Sequence, residues 1–210
     1  MNNLSLNFLR NTFASAEIRR WICILLISLA STALSQAQVE VFMRIPTSPE
    51  SPGLLGDSND TVYKGSEGWS RIRSFSLGVE IVYAVTNRGG STSGKAGAIA
   101  LDIGKEVSVV SPPIFAALAK GVQFGKLELV VRKPGTRTGE GYLKYEFGLA
   151  APSLQKWTGS SEEPKETIRF EYSSLRMTFR PQSATGELGT PVVTTWNFIF
   201  NTDGVDMPTQ

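Results

Sequence analysis

Histidine is the most informative absence in this chain of 210 residues, because the sequence contains none. Histidine is the usual general base of enzymes, it activates catalytic serine and cysteine residues, and it is a common ligand of zinc. Without it, only carboxylate, lysine or tyrosine chemistry is left, together with oxygen-ligand metal sites of the calcium kind. We therefore predict that the protein is not an enzyme and has no cofactor and no metal site.

Cysteine is nearly as scarce, and long apolar runs are missing too. The only cysteine is Cys23, which lies within the short apolar run Trp21–Ala30. A membrane anchor needs about 20 apolar residues to cross the hydrocarbon core, so this run is too short to span a membrane. Two arginines precede the run, and Ser35 and Ala37 are the small residues that a signal peptidase recognises. This layout is typical of a secretory signal peptide.

We accordingly predict a cleaved signal peptide over residues 1–37 and a single domain over residues 38–210. The mature chain is then secreted or periplasmic and has no membrane span. Because Cys23 leaves with the leader, the mature chain has neither disulfides nor thiol chemistry.

A surplus of charge is also missing from the predicted mature chain. The leader holds Arg10, Arg19, Arg20 and Glu17. Without its three arginines the chain keeps 18 of its 21 basic residues, and without Glu17 it keeps 18 of its 19 acidic residues. The net charge of +2 therefore belongs to the leader. A protein that binds a nucleic-acid phosphate backbone needs an excess of lysine and arginine over acidic residues, so we predict no nucleic-acid partner.

What the sequence does contain is a clearly patterned β-hairpin at Lys126–Phe147. The apolar residues of its two strands alternate, which places them on one face: Leu127, Leu129, Val131, Leu143, Tyr145 and Phe147. A turn-forming run, PGTRTGEG, separates the strands. Pairing Lys126 with Glu146 puts Glu128 opposite Lys144, whereas a slip of one pair would put Glu128 opposite Glu146. We therefore predict the first register, with the charged face in water.

Further strands follow from the same alternation, and together they predict a mainly β fold. The predicted strands are Val39–Ile45, Trp69–Val85, Ile99–Ile103, Thr167–Arg180 and Val192–Asn201. The apolar phase changes at Ser173-Ser174, which indicates a β-bulge there. In the last strand Trp196, Phe198 and Phe200 share one side, and this period of two favours a place in the core.

Three polar segments separate these strands. We predict a surface loop at Pro46–Asp60, a mobile glycine-rich loop at Asn87–Gly97 and a polar linker at Ala151–Lys165. The glycine-rich loop nearly spells a phosphate-binding motif, but Ala96 replaces the required hydroxyl residue and no helix pattern follows. We therefore interpret the segment as a plain loop.

One helix interrupts the β pattern, at Ser111–Gly121. Serine is a good N-cap, proline is tolerated at the first helical position, and Lys120 and Gly121 suit the carboxyl end. We expect Ile114, Phe115 and Leu118 to face the sheet.

Two remaining groups of residues are candidates for function. Glu162, Glu163 and Glu166 resemble a catalytic carboxylate set, but nothing apolar nearby raises a pKa, so we predict a solvated charge cluster. Trp157 lies in the predicted linker and is the aromatic residue expected to be exposed, so we predict that it contacts a partner.

The ordered set of elements resembles the hemolysin-coregulated protein (Hcp) family, the tube protein of type VI secretion systems. The resembling segments span about residues 39–201 and are VFMRI, GWSRIRSFSLGVEI, AIALDI, the Ser-Pro helix, LELVVRKPG with YLKYEF, and ETIRFEYSSLRMTFRPQ with TTWNFIFN. The resemblance implies a β-barrel of two antiparallel sheets with one short α-helix. It also implies homohexameric rings that stack into a tube, with secreted effectors or other tube components as partners.

By position, the glycine-rich loop corresponds to the loop that stacks rings in that family. The resemblance thus implies a ring-stacking role for Asn87, Arg88, Gly89, Gly90, Ser91, Thr92, Ser93, Gly94 and Lys95. The leader departs from the family, whose members are normally exported by their own apparatus. A second function therefore stays open, an exported binding module that recognises a glycan or surface partner through Trp157 and the loop Pro46–Asp60.

Overall fold

Nine β-strands and one α-helix make up the described part of this computed structural model, which is residues 39–49, 51–85, 91–133, 139–159 and 163–204. The side chains of 82–85 and 91–93 are not described, and the predicted leader lies outside these ranges, as do Asn87–Gly90 and Glu162. The elements are β1 Glu40–Arg44, β2 Trp69–Ile72, β3 Ser74–Val85, β4 Ser91–Glu106, α1 Ser111–Lys120, β5 Phe124–Arg132, β6 Leu143–Thr158, β7 Lys165–Glu171, β8 Ser174–Phe179 and β9 Val192–Asn197.

The strands form two antiparallel sheets that share the long strand β6. The first half of β6 pairs with β5 and β8, which gives a first sheet of order β2-β1-β5-β6-β8-β9. Its second half pairs with β7, which gives a second sheet of order β6-β7-β4-β3. Leu149, with φ 48°, and a bulge between Pro152 and Leu154 mark the change of sheet. The predicted mainly β fold of two antiparallel sheets with one helix is confirmed, although hydrogen bonding among the described strands does not close the barrel.

The core lies between the two sheets and is built from their alternating inner residues. The alternation is clearest in β7, whose buried residues are every second one, and the fully buried core side chains include Leu101, Ile103, Leu127, Leu129, Phe147, Ile168 and Phe170. Burial of such side chains removes apolar area from water and supplies most of the folding free energy. The predicted apolar face of the β5–β6 hairpin is therefore confirmed.

The predicted register of that hairpin is wrong by two residues. Lys126 lies opposite Gly148, and Glu128 lies opposite Glu146, the pairing that the sequence argument rejected. The predicted water-facing side is wrong as well, because both glutamates are buried. In an isolated hairpin the two glutamates would repel each other, but β1 and β8 flank this hairpin and bring Arg44 and Arg176 to the two carboxylates.

Two further predictions failed because the chain crosses between sheets. The segment Thr167–Arg180 is two strands, β7 and β8, and the phase change at Ser173 marks the crossing instead of a bulge. The Ser173 hydroxyl and N–H both donate to the Gly148 carbonyl at 3.0 Å, which fixes the crossing point. The predicted linker Ala151–Lys165 is largely the second half of β6, which runs to Thr158.

The helix forms where it was predicted, and Gly121 closes it in the left-handed conformation with φ 66°. The predicted N-cap is wrong, because Val110 occupies that position and the Ser111 hydroxyl donates to Glu166 instead. Ile114 and Ala117 are buried, three residues apart on one face. Phe115 lies about 100° further round the helix, so its side chain is 51% exposed and does not face the sheet as predicted.

The predicted loop Pro46–Asp60 belongs to a longer connection that runs to Gly68, includes a short 3-10 helix at Gly65–Glu67 and folds over the outer face of the first sheet. Phe42, Trp69 and Val130 form a small second core there, and Tyr63 stacks on Phe42 with ring centroids 4.8 Å apart. Arg132 joins this segment to the sheet through ion pairs with Asp60 and Glu40.

The last predicted strand is shorter than expected. β9 ends at Asn197, whose side-chain oxygen accepts the N–H groups of Ile199 (2.9 Å) and Phe200 (3.0 Å) and so starts a turn. Phe198 is buried and Trp196 is half-buried, but the turn leaves Phe200 67% exposed. The prediction that these three aromatic residues share one buried side is therefore wrong for Phe200.

Candidate assembly surfaces

The β3–β4 hairpin extends beyond the core as a two-stranded arm. β7 pairs with β4 only from Leu101 to Glu106, whereas β3 and β4 continue to pair with each other as far as Val85 and Ser91. We call the two described strand segments beyond β7, residues 78–85 and 91–99, the arm. The predicted loop at Asn87–Gly97 is therefore wrong in part, because Ser91–Gly97 is strand. Val79 and Ile81 of the arm are exposed apolar side chains.

The inner face of the first sheet is left partly uncovered beside its β9 edge. Phe179 lies opposite Leu143 in one neighbour and Val192 in the other, so these apolar side chains form one row across the sheet. Their exposure rises toward the edge, from a half-buried Leu143 to 41% for Phe179 and 65% for Val192. Met177, on the same face, is 40% exposed. We call Met177, Phe179 and Val192 the β8–β9 strip.

The outer face of the β5–β6 hairpin carries a compact network of buried charge. Lys126 Nζ lies 2.8 Å from one carboxylate oxygen each of Glu128 and Glu146, and Lys144 Nζ lies 3.1 Å from the same two oxygens. Arg44 Nε adds a contact of 2.5 Å to Glu128. Each lysine thus bridges the two facing glutamates, which removes the repulsion expected of that pair.

The electrostatic balance of this network is visible at Glu128. Burial by itself raises the pKa of this carboxyl, but Lys144, Lys126 and Arg44 outweigh burial and lower the pKa to about 2. Glu128 is therefore ionised in the folded protein at neutral pH, as a buried and fully paired carboxylate.

A second buried ion pair lies under the amino end of α1. Lys105 Nζ is 2.8 Å from Glu166 Oε1, and both side chains are almost completely buried. Ser111 donates to the same oxygen at 2.5 Å, while Gln155 (2.9 Å) and Trp157 (3.1 Å) donate to the other. The prediction of a solvated cluster is therefore wrong for Glu166. Burial acts to raise its pKa, but Lys105, Ser111 and Gln155 lower it.

Sequence reasoning missed Lys105 altogether, although a signal for its burial was present. Lys105 is in phase with Leu101 and Ile103 of β4, and Glu166 is in phase with Ile168 and Phe170 of β7. A lysine and a glutamate that both continue an inner apolar row predict a buried pair if the two strands are neighbours.

Trp157 lies near the end of β6, with its indole N–H directed to Glu166 and 49% of its side chain in solvent. Its ring meets Phe115 of α1 edge to face, with centroids 5.9 Å apart. The two rings form a half-exposed aromatic surface, and most of the predicted linker around Trp157 is strand.

The described residues contain no group of three or more acidic, histidine or cysteine side chains that could hold a metal ion. Within the same residues, no helix has the length and apolar character needed to cross a membrane.

Comparison with solved structures places the fold among type VI secretion proteins. A type six secretion system protein shares 23% identity with a TM-score of 0.70, over 80% of this chain and 100% of that chain. Hcp1 from Salmonella typhimurium shares 20% identity with a TM-score of 0.62, over 79% and 98%. A type VI secretion system effector from Yersinia pestis shares 17% identity with a TM-score of 0.53, over 75% and 98%. At these identities the likeness concerns the fold.

The family follows from the sequence itself. The family model of the type VI secretion system effector Hcp matches residues 42–179, about two thirds of the chain. No curated protein matches. The chain therefore belongs to the Hcp family, and it is a type VI secretion tube and effector protein. The alternative of an exported binding module that recognises a glycan or surface partner is not favoured by these matches.

Proposed function

We propose that the mature chain is a non-enzymatic structural protein that forms homohexameric rings, and that these rings stack into a secretion tube that can carry effectors. Family membership supports this proposal, since Hcp proteins are structural tube proteins. The observation on the molecule that carries it is the β8–β9 strip beside the β9 edge.

The strip and the edge together suit a contact between copies. Among the described strands β9 pairs only with β8, so its other edge, apart from the bridge of Asn197 to Thr202, offers backbone N–H and C=O groups to a further strand. Val192 and Val193 of β9 are 65% and 51% exposed. A ring uses two different surfaces of each subunit, and an edge strand beside an uncovered apolar face is well suited to be one of them.

Light scattering of the purified mature chain tests the ring. We expect a mass of six subunits, with rings in electron micrographs. A clean monomer at high protein concentration contradicts the proposal.

We propose further that the segment Asn87–Lys95 and the arm that carries it stack one ring on the next. The exposed side chains of Val79 and Ile81 support this role, because they lie on the part of the hairpin that leaves the core. Ile81→Glu is expected to leave single rings intact while stacked tubes disappear from micrographs. Loss of the rings themselves, or unchanged tubes, refutes a specific role in stacking.

We also propose that Trp157, with Phe115, contacts a partner, either a neighbouring subunit or another tube component. Aromatic rings that are half exposed next to a buried polar anchor are typical contact residues. Comparison of acrylamide quenching between wild type and Trp157→Phe isolates the emission of Trp157. Quenching of that emission is expected to fall on assembly; equal quenching before and after assembly argues against the contact.

Finally, we propose that residues 1–37 are a cleaved leader and that the mature protein is secreted or periplasmic. The basic residues, apolar run and small residues of that segment support the proposal. Mass spectrometry of the exported protein is expected to find an amino terminus at Gln38, and an intact Met1 in exported protein contradicts cleavage.

A further inference from the structure

We propose that the turn at the end of β9, residues 198–202, acts as a brace that fixes the position of the arm. The arm needs such support. Beyond Leu101 its two strands pair with each other, and in the described residues no further strand pairs with β4 there. An isolated two-stranded hairpin is only marginally stable in water, so contacts from elsewhere must hold it in one place.

Tyr172 supplies the first support, at the base of the arm. Its single hydroxyl proton is shared between the carbonyl oxygens of Ile99 (3.0 Å) and Gly78 (3.3 Å), which belong to the two different arm strands. Burial raises the pKa of Tyr172 to about 12, so the hydroxyl keeps its proton across the physiological range. One side chain thereby ties both strands of the arm to the end of β7.

Lys95 supplies the second support, further along the arm. Its ammonium group donates to the carbonyl oxygen of Ile199 at 2.7 Å. That carbonyl belongs to the turn after β9 and not to either sheet. The arm is thus joined to the turn directly.

The turn is itself firmly built and joined to Tyr172. Asn197 holds it through two backbone N–H groups, and Asn197 and Thr202 exchange backbone hydrogen bonds across it. Phe198 donates its N–H to the Ser173 carbonyl at 2.8 Å, and its ring packs on Tyr172 with centroids 5.8 Å apart. Tyr172, Lys95 and the turn therefore form one connected unit, through which a change at the end of β9 reaches the arm.

Hydrogen exchange of the arm amides between Gly94 and Ile99 tests the brace, and the readout is independent of ring assembly if all variants are compared in the same oligomeric state. Loss of one hydrogen bond of about 1 kcal/mol corresponds to about fivefold faster exchange. Tyr172→Phe is expected to give about that increase, and Lys95→Met a smaller one. Matched controls are Tyr145→Phe and Lys120→Met, which remove the same groups elsewhere.

The decisive variant is Asn197→Ala, which changes the turn and not the arm. We expect it to speed exchange of the arm amides by several fold relative to the amides of β5, so that any general loss of stability cancels from the ratio. Arm exchange that keeps the wild-type ratio in Asn197→Ala overturns the brace, whatever Tyr172→Phe does. Because rings are not the readout, that result would leave the proposed tube function standing.

Discussion

Glu128 and Glu166 are both buried carboxylates with a lowered pKa, although burial alone raises the pKa of a carboxyl group. In each case the cations and hydrogen-bond donors that reach the carboxylate come from several different elements. Glu128 receives Arg44 from β1, and Glu166 receives Lys105 from β4 and Ser111 from α1. Single residues of this protein are thus held by partners that lie far away in the sequence.

Glu128 makes stability depend on pH in a defined range. The pKa of Glu128 is about 2 in the folded protein and near 4.5 in the unfolded chain. Its contribution to the unfolding free energy is therefore present above about pH 4.5 and is lost as the pH falls toward about 2. The shift corresponds to about 3 kcal/mol. We expect urea unfolding of Glu128→Gln to show a deficit of that order at pH 7 that shrinks between pH 4.5 and pH 2. The matched control is Glu67→Gln, which removes an exposed carboxylate. A deficit in Glu128→Gln that does not change with pH would refute the assignment.

Lys105 and Glu166 should behave as a coupled pair. Removing one partner leaves a buried charge without compensation, so Lys105→Met or Glu166→Gln alone is expected to cost about 3–5 kcal/mol of unfolding free energy. The double variant is expected to lose much less than the sum of the two single losses. Chemical denaturation of all four proteins gives the coupling energy, and additive losses would show that the pair does not act as a unit.

At the scale of elements, periodicity located most of the strands and the helix but missed the second half of β6 and did not tell where a strand changes sheet. β6 runs through both sheets, and the chain between β7 and β8 crosses from one to the other. A phase change such as that at Ser173-Ser174 signals either a bulge or a crossing, and local pattern does not distinguish them. The register of the β5–β6 hairpin was missed for a similar reason, because its neighbours β1 and β8 carry the compensating charges.

Helix α1 allows a prediction with a built-in control. Ile114 and Phe115 are adjacent in sequence, but Ile114 is fully buried and Phe115 is 51% exposed. Ile114→Ala is expected to lower the unfolding free energy by about 2–5 kcal/mol, because it opens a cavity in the core. Phe115→Ala should cost less than about 1 kcal/mol. Equal losses in thermal or chemical denaturation would show that the helix lies with a different face on the sheet.

At the scale of the whole molecule, the exposed apolar side chains at the β9 edge support the proposal that the chain assembles with further copies. The part of the chain that is described leaves the β8–β9 strip and the arm partly uncovered. Assembly covers such surfaces and adds strands to open edges.

The edge can be tested without disturbing the fold. Val192 is 65% exposed, so Val192→Lys should leave the unfolding free energy within about 0.5 kcal/mol of wild type. A charge at an edge strand opposes strand addition, and we expect the hexamer to dissociate in light scattering. The matched control is Leu55→Lys on the segment over the outer face, where Leu55 is 74% exposed. Equal oligomer masses for Val192→Lys and wild type would show that β9 is not part of the interface between subunits.

The sequence by itself determined the class of fold, the apolar face of the β5–β6 hairpin and the helix at Ser111, because these depend on local periodicity and capping. It also carried the ordered pattern of the Hcp family, and its lack of histidine narrowed the chemistry available. Only the tertiary structure decided the register of that hairpin, the pairing of Lys105 with Glu166, and the support of the arm by Tyr172. The phase of Lys105 and Glu166 along their own strands indicates an inner position. Their pairing, like the hairpin register and the contacts of Tyr172, depends on which segments far apart in sequence become neighbours, and no local pattern contains that information.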